Sequence, residues 1–106
     1  MAKYLLKASY TVDGVKGLLK EGGNGRKNSA KAAVESVGGK LEAFYFAFGE
    51  HDAYLIMDLP DNVAAAAIAL RVNQAGAVTC QTVVLMTPDE VDAATGKGVT
   101  YRPPGA

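Results

Sequence analysis

GGKLEAFYFAFGEHDAYLIMDLP, residues 38–60, decides how the chain folds. Two apolar runs flank a tight polar turn, Gly49-Glu50-His51-Asp52, and each run is rich in the aromatic and branched residues that favour strands. With a four-residue turn, Phe48 lies opposite Ala53, Phe46 opposite Leu55 and Phe44 opposite Met57. Opposed residues share a face. Phe44, Phe46, Phe48, Leu55, Met57 and Leu59 therefore form one apolar slab, while Ala43, Tyr45, Ala47, Tyr54, Ile56 and Asp58 point the other way. Both faces are largely apolar, and a chain of 106 residues can cover only one of them with its own helices. The other face is expected to meet a second chain or a ligand.

The flanking sequence supplies the helices. Lys3 to Tyr10 alternates with period two, as a half-buried strand does, with Tyr4, Leu6, Ala8 and Tyr10 on one side and Lys3, Leu5, Lys7 and Ser9 on the other. Thr11 to Lys20 reads as a short helix capped by Thr11 or Asp13, with Val15, Leu18 and Leu19 at helical spacing. The glycine-rich break at 21–25 is predicted to end it. A second helix follows from Arg26 to Val37, with Ala30, Ala33, Val34 and Val37 inward and Gly38-Gly39 closing it. After the hairpin, Asp61 or Asn62 caps an alanine-rich helix to about Asn73, Gly76 stops it, and Ala77 to Met86 is a last strand. The predicted order is β-α-β-β-α-β, the ferredoxin-like split βαβ motif: an α+β domain with a four-stranded antiparallel sheet and two helices on one face.

That domain is expected to span residues 1–86. Residues 87–106 read as a C-terminal extension: a capping box, Thr87-Pro88-Asp89-Glu90, opens a short helix to about Ala94, and a tail ends in Arg102-Pro103-Pro104-Gly105-Ala106.

Composition narrows the function classes. Eleven basic and eleven acidic residues cancel, which argues against nucleic acid or an anionic membrane surface as partner. No apolar run approaches the roughly 20 residues of a membrane helix, and a cytoplasmic location is expected. One cysteine and one histidine give no disulfide framework and no metal-ligand spacing, so no metal or cofactor is predicted. Gly22 to Lys27 lacks the lysine-serine/threonine pair of a phosphate loop and reads as a connector. Cys80 reads as a small buried apolar residue.

Taken together, Gly38-Gly39-Lys40-Leu41, Phe44-Tyr45, Gly49-Glu50-His51-Asp52, Pro60-Asp61 before the alanine-rich helix, and Gly76-Ala77-Val78-Thr79 resemble the GYD-domain family over Lys3 to about Met86. These are small bacterial and archaeal proteins of largely unassigned role. The resemblance implies a ferredoxin-like fold related to the dimeric α/β-barrel proteins, and self-association. The family's turn usually carries tyrosine where this chain has His51, which weakens the case for an essential imidazole there.

Two groups of residues are candidate sites. His51, between Glu50 and Asp52, reads either as a general acid/base or as a solvated turn residue with Asp52 forming an Asx turn. The uncovered sheet face offers Lys7, Tyr45, Tyr54 and Asp58, an apolar wall with a few polar groups. There Tyr45 and Tyr54 would supply walls and hydroxyls, Lys7 would neutralise an anionic or enolate-like oxygen, and Asp58 would pair with Lys7 or accept a proton. Thr79 and Gln81 join this face if the polar residues of the last strand point outward. The expected protein is a homo-oligomer, dimer or trimer, that binds a small, partly apolar molecule. The rivals are a cofactor-independent enzyme for proton transfer or oxygenation, with His51 or Asp58 as base, and a purely structural or regulatory assembly module.

Overall fold

A computed structural model describes all residues, 1–106. The elements run β1 (Ala2–Tyr10), α1 (Val12–Ser36), β2 (Lys40–Phe46), β3 (Ala53–Leu59), α2 (Asn62–Ala75), β4 (Val78–Leu85) and α3 (Pro88–Thr95). The four strands form one open sheet, every pair antiparallel, in the order β2-β3-β1-β4. The class is α+β, with three helices.

The alternation in β1 is realised: Tyr4, Leu6 and Ala8 are buried while the residues between them are half-buried on the opposite face. β3 repeats the pattern with Ala53, Leu55, Met57 and Leu59. Val34 of α1 and Ala64, Ala65 and Ile68 of α2 complete a single core, so both helices cover the same face of the sheet. The hydroxyl of Tyr4, buried at the centre, donates to Asn62 Oδ1 at 2.6 Å, and no buried side-chain nitrogen or oxygen lacks a partner.

The predicted break falls at Gly22, where two helical segments, labelled together as α1, meet at a kink. Only Gly22 leaves helical geometry (φ 78°, ψ 171°), and the helix resumes and runs on to Ser36. That conformation, open to glycine, interrupts the helical geometry and sets the two segments at an angle. Of the apolar residues at helical spacing in the N-terminal half, Val15 and Leu19 are exposed. Gly14, which lowers helix propensity, has a packing reason. A Cβ there would lie 1.9 Å from the Ala77 carbonyl oxygen, so only glycine lets α1 start this close to β4.

The hairpin register is shifted from the prediction. Phe46 pairs with Ala53 and Phe44 with Leu55, and the loop runs through residues 47–52. The cause is Asp52. Its backbone N–H donates to Ala8 O, its carbonyl accepts from Ala47 N, and its carboxylate accepts from Tyr10 N, each at 2.8 Å. Asp52 thus clips the loop to β1 instead of forming a local Asx turn. The slip is by two residues, so the side chains that remain in the strands keep their predicted faces. The casualty is Phe48, expected in the apolar slab but lying in the loop, fully exposed. A bulge between Leu41 and Ala43 adds one residue to β2 at Glu42.

The remaining punctuation is as expected. Asp61 Oδ1 caps α2 through Ala64 N at 2.9 Å, and Gly76 ends that helix in the left-handed region. Thr87 and Glu90 form the reciprocal capping box of α3. That helix and the tail after it are exposed and lie beyond the sheet. Helices α1 and α2 scarcely touch one another and leave an apolar gap of about 350 Å³ above the sheet between them.

The single thiol sits on the helix-side face of β4. Burial pushes the Cys80 thiol above its ordinary range, opposed by the Asn73 side chain. Native-state alkylation by iodoacetamide at neutral pH should therefore be slower than in the unfolded chain. Since the folded state resists ionisation, the associated stability is complete below the ordinary thiol pKa of 9.0 and fades as pH rises through the raised value. Equal alkylation rates in the native and urea-unfolded chains would contradict this environment.

Candidate functional site

Strand register places the side chains of the uncovered face in rows. The first row crosses the sheet as Gln81, Lys7, Tyr54 and Tyr45. The second is Val83, Leu5, Ile56 and Ala43, apolar from edge to edge. The third is Leu85, Lys3, Asp58 and Lys40. The face is therefore graded along the strands: a polar, aromatic end, an apolar belt and a charged end. Thr79 and Gln81 do point outward, opposite Ser9 and Lys7.

Three of the four predicted ligand residues come together. Lys7 is the direct cross-strand partner of Tyr54, and Tyr54 of Tyr45. Tyr54 is half-buried, whereas Tyr45, on the edge strand, is 70% exposed. Asp58 does not join them. It lies four residues along β3 from Tyr54, about 13 Å away at strand rise. Its carboxylate accepts from Lys3 Nζ at 2.9 Å, and Glu42 of the bulge takes a second bond from the same ammonium at 2.7 Å. The expected Lys7–Asp58 pair is replaced by Lys3, because Lys3 and Asp58 are register partners. Hydrogen bonds first to Glu42 and then to Asp58 hold the Lys3 ammonium above its ordinary range, so it keeps its charge through neutral pH.

His51 is not a solvated turn residue. The loop folds it down onto the uncovered face, where its side chain is only 12% exposed. Nδ1 lies 3.2 Å from Ser9 Oγ, and the ring packs edge-on against Tyr54 with centroids 5.9 Å apart. Nε2 lies 3.9 Å from a carboxylate oxygen of Glu50, which is itself almost fully exposed. A shallow recess of about 190 Å³ is lined by Lys7, Ser9, His51, Thr79, Cys80 and Gln81. The recess combines a cation, two hydroxyls, an amide and an imidazole, enough to fix a small polar group, and Tyr54 adjoins it through the His51 ring. The larger cavity is on the other side of the sheet, under the helices, and shares none of the predicted site residues.

Ser9 is the member of this cluster that sequence reading did not single out. Its signal was present, since it alternates with Lys7 on the outward side of β1. The descent of His51 onto the face had no local signal, because it follows from the clip at Asp52.

Fold and face together define a small α+β domain with one helix-covered and one open sheet surface. The chain belongs to the GYD domain family, whose model matches residues 4–95. That span takes in α3, beyond the end at Met86 expected from the sequence. No curated protein and no solved structure shows significant similarity to the chain. No helix is long and apolar enough to cross a membrane.

Proposed function

We propose that this chain is a homo-oligomeric, small-molecule-binding domain that self-associates through the open sheet face. The observation that carries the reading is the belt Val83–Leu5–Ile56–Ala43, bounded by polar rows and covered by no helix of the chain. Its exposure fits a subunit better than a monomer: accessible surface is 7285 Å², against about 5,600 Å² for a compact monomer of this mass. Part of that excess belongs to the C-terminal extension. The ferredoxin-like assignment accompanies this reading, supported by the strand order taken from the other edge, β4-β1-β3-β2, with β1 and β3 central. A lone free thiol is in keeping with a cytoplasmic location.

Association over the belt leaves the polar end as the ligand recess. Lys7 supplies the charge for an anionic or enolate-like oxygen, Tyr54 and Tyr45 the walls, and Ser9, His51 and Gln81 the neutral contacts. Asp58, engaged by Lys3, serves the charged rim of the interface. The enzymatic alternative, cofactor-independent proton transfer or oxygenation, draws support from one feature: His51 is held beside Ser9 with Lys7 on the same recess. In that reading His51 is the base, and turnover of an enolisable carbonyl compound would disappear in His51→Ala.

Light scattering on the full chain is expected to report a dimer or larger species over a wide concentration range. A mass of 11.0 kDa throughout would overturn the assembly. Titration with benzoate, followed by amide shifts, tests the recess: changes centred on Lys7, Ser9 and Tyr54 support it, and changes elsewhere or none count against it.

A further inference from the structure

We propose that the gap between α1 and α2 is a separate binding site, for a small amphiphile with an apolar body and one anionic head group, such as a medium-chain carboxylate. The walls carry the argument for the body. Ala8 and Ala53 pave part of the floor, and Ala30, Ala33 and Ala75 stand on the facing helices, so the positions that would normally fill such a space bear methyl groups. Protein interiors are otherwise close-packed, and a gap of about 350 Å³ is at the small end of ligand pockets. Fifteen of its eighteen lining residues are apolar. A nucleotide or sugar would leave its hydroxyls unpaired against these walls.

The head group is specified by the remaining three residues, Arg26, Ser29 and Arg71, all reaching solvent at the opening between the helices. Arg71 has no carboxylate within 4 Å, and Arg26 has only Glu21 at 3.4 Å. Two guanidinium groups and a hydroxyl beside an apolar well suit a carboxylate in charge and hydrogen-bonding type. A side chain of a second copy is the competing occupant, since the walls would accept it equally. The arginines distinguish the two.

Amide-shift titrations of the full chain with octanoate and with neutral octanol provide the test. Octanoate is expected to move the amides of Ala33, Leu55 and Val72 saturably, and octanol to bind about tenfold more weakly, the worth of a charge-assisted hydrogen bond. Arg71→Ala should bring octanoate down to the level of octanol. Ala33→Phe should block both ligands, and its exposed position leaves folding intact; Ala75→Phe makes the same test from α2. Equal binding of octanoate and octanol, indifference to Arg71→Ala, no saturable shift, or unhindered binding in both blocking variants would each overturn the proposal. So would a fall in oligomer mass in the blocking variants without octanoate shifts in the parent, which would give the gap to a second copy.

Discussion

Gly14→Ala is expected to lower the melting temperature by roughly 10–20 °C, although alanine is the better helix former. The added methyl would lie 1.9 Å from the Ala77 carbonyl oxygen and 2.9 Å from the Tyr10 ring, and the nearer obstacle is backbone. Relief requires α1 to lift from the start of β4. That strains the bonds joining them, Thr11 N to Ala77 O at 3.0 Å and Thr11 Oγ1 to Gly76 O at 2.9 Å. Overpacking costs about 1–3 kcal/mol or more, and each lost hydrogen bond about 1 kcal/mol. The helix-propensity gain of about 1 kcal/mol offsets only part of this. Gly17→Ala is the control: the same helix has open space there, so thermal unfolding should show a small rise. Two variants shifting alike would refute the close approach as the reason for Gly14.

Ile56→Lys is expected to reduce the assembly to a folded 11.0 kDa chain. Ile56 is central in the belt, flanked by Leu5 and Ala43. In the isolated chain a lysine there can lay its stem along the sheet and keep its ammonium in water, so folding survives. Across a closed interface the charge is buried without a partner, at a cost of several kcal/mol, which weakens association by a hundredfold or more on the scale of about 1.4 kcal/mol per tenfold. Val84→Lys, exposed on the opposite side of the sheet, should leave the mass unchanged. Association surviving in Ile56→Lys while circular dichroism shows a native fold would remove the belt as the interface.

The parts of the architecture legible in the sequence are those written in periodicity and capping. The alternation of Tyr4, Leu6 and Ala8, the caps at Asp61 and Thr87, and the stop at Gly76 each express a local rule, and each is realised. The misreadings are all non-local. Nothing in 47–52 announces that Asp52 will bond to Tyr10 and Ala8, and that bond displaces Phe48 and draws His51 onto the sheet. The interruption at Gly22, by contrast, is written locally in the glycine-rich stretch that contains it. For the open face, parity brought Lys7, Tyr54 and Tyr45 together correctly. Pairing choice was beyond it: Asp58 follows its register partner Lys3, not the lysine one would choose for chemistry. The gap beneath the helices was invisible because alanines at helical spacing read as close packing.

β2 and β4 are the sheet's two borders, and they are guarded unequally. β2 has a bulge and the charged side chains of Lys40 and Glu42, which discourage another strand from adding on. β4, VTCQTVVL, has no bulge, no proline and no charge along its length. Its unpaired backbone groups form the more adhesive border, so uncontrolled growth of the sheet, in a destabilised variant or at high concentration, would start from β4.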